Sequence, residues 1–270
     1  MIHEKRQCCA NTLSLSYFRS MSAETTPLKI DACFSPFLYP VYADTESIVV
    51  IIDVLRATSA ICTAFHYGAA SMIPVATVDE ARALQATGML AGAERDAIKV
   101  EGFDFGNSPY DYMGDHVKDQ TIAITTTNGT QALDAAKNAY KVVVGAFTNI
   151  TALCDWLVAE QRPVLLLCSG WKNRFNLEDS LFAGAVTQEL INRNPDYKLG
   201  DACLALQYLY QQAKDDPYKF LSRASHKERM ARLGLKKDIR YCLTPDQTTA
   251  IPILIDGALV KLEAEIAAGD

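Results

Sequence analysis

The stretch SIVVIID at positions 47–53 is a run of mostly branched apolar residues that ends in an aspartate. A continuous apolar run of this length is typical of a strand that is buried on both faces of a parallel sheet. The segment ATSAICTAFHYG at 57–68 follows it, with the pattern of a helix closed by Gly68. A buried strand that leads directly into a helix predicts an α/β protein.

The same alternation continues along the chain to about residue 192. We predict further strands at 71–77, 89–94, 120–127, 141–147 and 163–170, and further helices at 78–88, 129–139, 149–161 and 177–192. Strands that alternate with helices form a sheet with helices on both faces. The predicted fold class is therefore a three-layer α/β/α fold with a largely parallel or mixed sheet.

The C-terminal part follows a different pattern. Residues 200–234 are predicted to be helical, with SHKE (225–228) as a capping box and Gly234 at the end of the helix. Two short strands, at 239–243 and 250–255, and a final helix complete the chain. This pattern adds a helical C-terminal segment to the α/β unit.

The composition limits the classes of function. The chain has 270 residues, of which 49% are hydrophobic, and a net charge of −6, so it can form a substantial core. The acidic balance argues against nucleic acid as a partner, because phosphate backbones require a basic face. The sequence has no apolar run long enough to span a membrane, so we expect no membrane partner.

The cysteines and the N-terminus indicate the compartment. The eight cysteines include no CxxC pair, which argues against a zinc site, and their scatter favours a reducing compartment, the cytoplasm. The first 20 residues lack the apolar core of a signal peptide. We expect residues 1–24 to be a disordered N-terminal extension and residues 25–270 to form a single α/β domain.

Charged and hydroxyl-bearing residues cluster where the predicted strands end. Asp53 and Arg56 follow the first strand, Glu94 ends the third, and TTTNGT (125–130) ends the fourth. In open parallel sheets, ligands bind beyond the carboxyl ends of the strands. This set of side chains suits an anionic ligand that is held together with a divalent metal.

The TTTNGT turn has two interpretations. Backbone N–H groups and threonine hydroxyls at a strand-to-helix turn bind phosphate oxygens, helped by the helix dipole. Alternatively, the threonines between 126 and 130 only satisfy the N-terminus of the following helix. The sequence has no Walker-type lysine that would favour the first interpretation.

The candidate charged pairs also leave alternatives open. Asp53 and Arg56 lie where a site is expected, but they could instead form a structural ion pair. Glu178 and Asp179 lie in the first turn of a helix, where the dipole favours acids, and as adjacent carboxylates they could bind Mg²⁺. His226 could reach the same region, although the sequence alone does not place it there.

Two phosphatase motifs give different results. The haloacid-dehalogenase nucleophile requires a DxD motif, whereas this chain reads Asp53-Val54-Leu55. A cysteine phosphatase requires C-x5-R, and Cys168 and Arg174 have this spacing after a predicted strand. A basic loop would lower the pKa of such a thiol, so a cysteine-based phosphatase is an alternative mechanism.

Six stretches of the sequence form a recognisable set. They are IDVLRATSAI (52–61), GAERD (92–96), GFDFGNSPYDY (102–112), ITTTNGTQAL (124–133), CSGWKNRFNLEDSLFAG (168–184) and ASHKERMARLGLKKDIRYC (224–242). With them, the chain resembles the magnesium-dependent 2-phosphosulfolactate phosphatases of coenzyme M biosynthesis. The resemblance extends from about residue 28 to residue 256.

The resemblance implies Mg²⁺-dependent hydrolysis of (R)-2-phospho-3-sulfolactate, or of a similar small phosphorylated acid. We also expect a cytoplasmic enzyme and consider a homodimer. A non-catalytic anion-binding protein of the same fold is a further alternative. On this basis, the expected catalytic residues are Asp53, Arg56 and Glu94, and the expected metal ligands are Asp53, Glu178 and Asp179. The expected substrate-binding residues are Asp104, Asn107, Thr126, Thr127, Asn128, Gly129, Thr130 and Arg174.

Overall fold

The structure is a computed structural model, and it describes residues 28–263. Its strands are β1 (Lys29–Cys33), β2 (Ile48–Ile52), β3 (Ser71–Pro74), β4 (Leu90–Arg95), β5 (Ile98–Lys99), β6 (Thr121–Thr125), β7 (Lys141–Gly145), β8 (Val164–Cys168), β9 (Lys198–Leu199), β10 (Pro252–Ile255) and β11 (Ala258–Lys261). The predicted N-terminal extension, residues 1–24, lies outside the described residues.

The α-helices are α1 (Tyr39–Tyr42), α2 (Ala57–His66), α3 (Val78–Gln85), α4 (Gly129–Ala136), α5 (Ile150–Glu160), α6 (Leu177–Arg193), α7 (Asp201–Ala213), α8 (Pro217–Phe220), α9 (Ser225–Arg232) and α10 (Lys236–Cys242). Short 3₁₀ helices cover Pro36–Leu38, Pro109–Tyr112, Asp115–Val117, Phe147–Asn149 and Leu221–Arg223. No helix within residues 28–263 has the length and apolar character needed to cross a membrane.

The strands form one mixed sheet in the order β5-β4-β6-β3-β11-β10-β7-β2-β8-β1-β9. One parallel block contains β7, β2, β8, β1 and β9, and a second contains β4, β6 and β3. The antiparallel hairpin of β10 and β11 joins the two blocks. The prediction of a largely parallel or mixed sheet is confirmed.

The strand β2 lies in the middle of the core. All five of its residues are buried, and they alternate between two apolar clusters on opposite faces of the sheet. Val50 packs in the cluster that contains residues of α5, α6 and α7, whereas Ile51 packs in the cluster that contains residues of α2 and α4. Helices on both faces give the predicted three layers.

The two parallel blocks run in opposite directions within the sheet, because three successive antiparallel pairings lie between them. A flat sheet would therefore put the carboxyl ends of β2 and β6 at opposite edges. Neighbouring strands twist by roughly 20–25°, so the five steps from β2 to β6 turn the strand direction by about 100–125°. The carboxyl ends of β2 and β6 nevertheless meet, at the starts of α2 and α4.

This meeting is visible in the contact between Gly129 and Asp53. Gly129 begins α4 after β6, and Asp53 follows β2. A Cβ atom placed on Gly129 would lie 3.2 Å from Oδ2 of Asp53 and 3.1 Å from Cβ of Ala57. The polar residues of both strand ends therefore face one another.

The C-terminal part differs from the prediction in three places. The residues 239–243, predicted as a strand, belong mainly to α10, in which Ile239 and Cys242 are buried at helical spacing. Ser225 lies inside α9 rather than at its N-cap, so the predicted capping box is wrong. The segment after 255 begins with β11, not a helix, and the rest of the predicted final helix lies largely beyond the described residues.

The local reason for β11 is a tight turn. Asp256 and Gly257 both have positive φ angles, of 50° and 81°, and they connect β10 to β11 directly. A two-residue Asp-Gly connection between apolar segments is a strong hairpin signal. The strand β1 is a further element that the sequence analysis did not predict.

Candidate active site

A narrow pocket of about 280 Å³ opens where the carboxyl ends of β2, β4 and β6 meet. This volume includes open solvent, and the enclosed part is only about 20 Å³. The C-terminal helix α9 closes one side. The lining residues are Asp53, Leu55, Arg56, Glu94, Ala97, Asn107, Thr127, Asn128, Trp171 and His226. Six of them are among the predicted site residues.

Asp53 lies at the bottom of the pocket, between the end of β2 and the start of α2. It is 9% exposed, and its backbone is fixed by paired contacts with Thr58. Burial raises the pKa of Asp53 to about 6, the charges of Glu94 and Glu178 add to this, and His226 opposes it. The pocket therefore holds more negative charge than its own residues neutralise.

Glu94 lies opposite, at the end of β4. Its carboxylate accepts hydrogen bonds from the backbone N–H of Ala97, from the side-chain amide of Asn107 at 3.3 Å, and from the hydroxyl of Thr127 at 3.3 Å. The side chain is buried. Glu94 thus connects the β4–β5 turn, the 102–112 segment and the TTTNGT turn around the pocket.

The threonines of the TTTNGT turn divide into two groups. Thr127 and Asn128 line the pocket. Thr126 and Thr130 are buried and bond to each other: the Thr130 N–H donates to the hydroxyl of Thr126 at 3.2 Å, and the Thr130 hydroxyl donates to the Thr126 carbonyl. The two interpretations of this turn therefore apply to different residues, because one pair caps α4 and the other faces the pocket.

Arg56 is part of the pocket wall and is already paired. Its guanidinium forms a buried salt bridge with Asp238 of α10 and donates to the carbonyl oxygen of Ala97 at 2.8 Å. The predicted alternative of an ion pair between Asp53 and Arg56 does not occur among these contacts. Arg56 instead connects the strand ends to the helical C-terminal segment.

His226 enters the pocket from α9, and the predicted site did not include it. Its Nδ1 atom lies 2.5 Å from Oε1 of Glu178, which is 1% exposed. The imidazole ring also packs near the ring of Trp171, with centroids 5.7 Å apart. The sequence could not predict this pair, because the partners are 48 positions apart and belong to different helices.

The buried carboxylate of Asp179 is surrounded by hydrogen-bond donors. One carboxylate oxygen accepts the N–H of Val54 at 2.9 Å, and the other accepts the N–H of Gly170 at 3.2 Å and the amide of Asn176 at 2.8 Å. Burial, with the charges of Asp53 and Glu178, raises the pKa of Asp179 well above its ordinary value. Asp179 fastens the ends of β2 and β8 to α6.

Two predicted substrate-binding residues lie away from the pocket. The carboxylate of Asp104 accepts the backbone N–H of Ala91 at 2.9 Å and the amide of Gln85 at 3.1 Å, outside the lining. Arg174 is exposed on the turn after β8 and does not line the pocket either. Neither side chain is therefore placed to contact a ligand in this pocket.

The cysteine-phosphatase alternative conflicts with the position of Cys168. The thiol is 1% exposed in the apolar core, and burial raises its pKa well above the ordinary value. A thiol nucleophile needs a lowered pKa and access to substrate. Cys168 has neither property. Arg174 is exposed and does not share a pocket with this thiol.

The donor set of the pocket fits Mg²⁺ in part. Within residues 28–263, no group of three or more His, Cys, Asp or Glu side chains is already arranged to hold a metal ion. The predicted ligands Asp53, Glu178 and Asp179 therefore stay a prediction. Mg²⁺, however, commonly binds through one or two carboxylates while water and substrate phosphate complete its shell. Asp53 and Glu94 line the pocket and can supply those carboxylates.

Most of the chain matches a protein-family model. A family model described as 2-phosphosulpholactate phosphatase matches residues 33–257. The chain belongs to this family. The 2-phosphosulfolactate phosphatases are phosphoric monoester hydrolases, and the match includes every element that lines the pocket.

Individual members of the 2-phosphosulfolactate phosphatase family show the same coverage. A probable 2-phosphosulfolactate phosphatase of Thermotoga petrophila is 38% identical over 214 residues, 79% of this chain and 92% of the relative. Those of Clostridium novyi and Clostridium perfringens are 38% and 34% identical, over 76% and 88% of this chain and 87% and 98% of the relatives. The family resemblance seen in the sequence is thus confirmed over nearly the whole fold.

Proposed function

We propose that the protein hydrolyses 2-phosphosulfolactate, or a closely similar small phosphorylated acid, at the pocket around Asp53, with Mg²⁺ as its cofactor. The observation that carries the proposal is the juxtaposition of Asp53 with the TTTNGT turn. Two buried carboxylates, Asp53 and Glu94, line the pocket beside the turn that begins α4. Carboxylates suit a metal, and a helix N-terminus suits a phosphoryl oxygen.

The charges support the need for a cation. The substrate carries a phosphate, a sulfonate and a carboxylate, all anionic. The pocket contributes the acids Asp53 and Glu94, and its base Arg56 is already paired with Asp238. Mg²⁺, when bound, would neutralise phosphoryl oxygens and activate a water. Asp53 and Glu94 would hold it.

The chain's own residues would perform the remaining steps. Asp53 would position the attacking water against phosphorus, and Thr127 with Asn128 would bind the phosphoryl oxygens. The alkoxide oxygen that leaves phosphorus requires a proton. His226 can donate it from Nε2, because Glu178 holds the opposite ring nitrogen. The products are sulfolactate and inorganic phosphate.

Phosphate release from a panel of esters tests this function. The panel contains 2-phosphosulfolactate, 2-phospholactate, 3-phosphoglycerate and p-nitrophenyl phosphate, each assayed in EDTA and after Mg²⁺ is restored. We expect release from 2-phosphosulfolactate that EDTA abolishes and Mg²⁺ restores. Release from no ester would favour a non-catalytic anion-binding protein. Full activity in EDTA would contradict the proposed requirement for Mg²⁺.

The cellular setting is part of the proposal. The described cysteines, Cys33, Cys62, Cys154, Cys168, Cys203 and Cys242, are all free and buried, which supports a reducing compartment such as the cytoplasm. The small anionic substrate is the proposed partner. A homodimer stays a prediction that sedimentation velocity can test.

A further inference from the structure

Arg56 lies where two cavities meet. It lines the pocket at the strand ends, and it also lines an adjoining groove of about 570 Å³, open solvent included. This side groove lies between the β4–β5 turn, the 106–111 segment and the connection from α9 to α10 at residues 233–235. Ala97 and Asn107 line both cavities as well. The guanidinium of Arg56 is therefore part of the wall that a bound substrate would contact.

The guanidinium of Arg56 keeps N–H donors for a ligand. A guanidinium has five such donors. Among residues 28–263 it has two acceptors: one Nη atom donates to the carboxylate of Asp238, and the other donates to the carbonyl oxygen of Ala97 at 2.8 Å. The remaining donors are not used by these two bonds. Because the side chain is only 5% exposed, a ligand in the pocket or in the side groove is the partner that can accept from them.

Asp238 reaches Arg56 from a distant part of the chain. It lies in the first turn of α10, 182 positions after Arg56. In the same helix, Ile239 and Cys242 are buried in the core cluster that contains residues of α5, α6 and α7. The Asp238 side chain is itself 9% exposed. Since α10 is packed against the core, Asp238 offers Arg56 an acceptor in a fixed place.

Two acceptors fix the direction of the remaining donors. An arginine side chain has many rotamers, and ordering them when a ligand binds lowers affinity. Asp238 and Ala97 hold different Nη atoms, so the plane of the Arg56 guanidinium is set before a ligand arrives. The carboxylate also offsets the positive charge, so the pair supplies directed donors more than net charge. A buried ion pair commonly adds little to stability, whereas preorganised donors stabilise charge that develops during a reaction.

We propose that Asp238 is a positioning residue of the hydrolytic site, which together with the Ala97 carbonyl directs the free N–H donors of Arg56 at the phosphoryl oxygens. This inference rests on the proposed function, which puts the phosphoryl group in the pocket that Arg56 lines. Phosphoryl transfer depends mainly on positioning and on stabilising charge at these oxygens. The planar fork of arginine matches two oxygens at once. Asp238 does not touch the substrate and acts only through Arg56.

The first test is kinetic. Asp238→Asn keeps the size of the side chain and removes its charge. Loss of a hydrogen bond to a charged group costs about ten- to a hundredfold, and we expect this loss in kcat for 2-phosphosulfolactate, with a smaller change in KM. Asp238→Glu keeps the charge and should have an intermediate kcat. The matched control is Asp201→Asn, which changes an exposed acid in the first turn of α7.

A chemical rescue separates positioning from folding. Arg56→Ala leaves Asp238 and the Ala97 carbonyl beside the space of the lost guanidinium. Millimolar guanidinium chloride should restore part of kcat in Arg56→Ala, whereas the same concentration of sodium chloride should not. In the double variant Arg56→Ala/Asp238→Asn, the rescue should be at least about tenfold weaker, because the ion has lost its charged acceptor. A purely structural Asp238 would lower the melting temperature without changing the rescue.

Three results would overturn the role of Asp238: a normal kcat in folded Asp238→Asn, no rescue of Arg56→Ala, or equal rescue with and without the Asp238 carboxylate. If Asp238→Asn does not fold, Asp238→Glu decides, because a normal kcat in this variant would also overturn the role. A wild type that releases phosphate from no ester would instead contradict the proposed function.

Discussion

Glu178 holds His226 in the wall of the pocket: its Oε1 atom lies 2.5 Å from Nδ1 of the imidazole, and the Glu178 side chain is almost fully buried. The acid comes from the first turn of α6 and the imidazole from α9. A carboxylate that fixes one ring nitrogen leaves the other free to exchange a proton with substrate. In the proposed mechanism Glu178 would therefore act through His226, and its predicted role as a metal ligand stays a prediction.

His226→Gln should lower kcat by about 10²- to 10⁴-fold with a smaller change in KM, because a general acid acts mainly in the transition state. Glu178→Gln should lower kcat in the same direction. The double variant should be no slower than His226→Gln, since both changes remove one function. Steady-state phosphate release measures all three, with Glu228→Gln on the surface of α9 as the control. Additive losses would show that Glu178 and His226 act separately.

Thr127→Val should change substrate binding, whereas Thr130→Val should change thermal stability. Thr127 faces the pocket, so its loss should raise KM about ten- to a hundredfold with little change in melting temperature. Thr130 bonds only within the cap of α4, so its loss should lower the melting temperature and leave KM unchanged. Thermal denaturation and kinetics on the same preparations decide the matter. A raised KM for Thr130→Val would mean that the buried pair also contacts substrate.

Gly129→Val should impair the site directly. A Cβ atom at this position would come within 3.2 Å of Asp53 and of two further atoms, from Ala57 and Thr126. The added side chain should therefore displace the start of α4 from the pocket and lower kcat/KM by tenfold or more, a rough figure that follows from losing one charged hydrogen bond. Normal kinetics in this variant would show that the turn and Asp53 do not act together.

The alternation of strands and helices that starts with β2 and α2 could be predicted from the sequence, because the spacing of apolar residues and the cap residues are local properties. It also identified Asp53, Glu94, Asn107, Thr127 and Asn128 as residues of strand ends and turns, and these line one pocket. The reason that they meet was not predictable from periodicity. The two parallel blocks run in opposite directions, and the twist of the sheet between them, on which the approach of β2 and β6 depends, is not a local property of the sequence.

The remaining differences have the same origin in long-range contacts. His226 reaches the pocket through the packing of α9, and no local pattern reports that packing. Asp179 was predicted from its place after a strand end and Asp104 from the family resemblance, and the carboxylate of each accepts a backbone N–H group. The Asp256-Gly257 hairpin, in contrast, was a local signal that the sequence analysis did not use.

Asp53→Asn should stabilise the metal-free protein near neutral pH. The pKa of this carboxyl is raised from 3.8 to about 6 by burial and neighbouring charge. The protonated form thus favours folding, and this contribution is complete below pH 3.8 and is lost as pH rises through 6. In EDTA at pH 7.5, the variant should melt at a higher temperature than wild type, with a difference that shrinks towards pH 4. Asp134→Asn, on the exposed face of α4, is the control.

A lower melting temperature for Asp53→Asn at pH 7.5 would contradict this charge balance. Added Mg²⁺ should raise the melting temperature of wild type and have a smaller effect on the variant, because a ligand of the native state stabilises by mass action. An equal shift in both proteins would place the metal away from Asp53.

Cys168→Ala should retain kcat and lose only some stability, because the thiol is buried in the core and its pKa is raised. Phosphate release after treatment with iodoacetamide should likewise be unchanged while the protein stays folded. Loss of activity in folded Cys168→Ala would restore the cysteine-based mechanism.

The most direct measurement of the central claim is the rate of phosphate release from 2-phosphosulfolactate by wild type and Asp53→Asn at saturating Mg²⁺, with circular dichroism to confirm that both are folded. The variant keeps the shape of Asp53 and removes the charge that would hold the metal and the water. We predict that kcat/KM falls by at least about a hundredfold, as expected when several kcal/mol of charge stabilisation are lost. Near-normal turnover by folded Asp53→Asn would contradict the account.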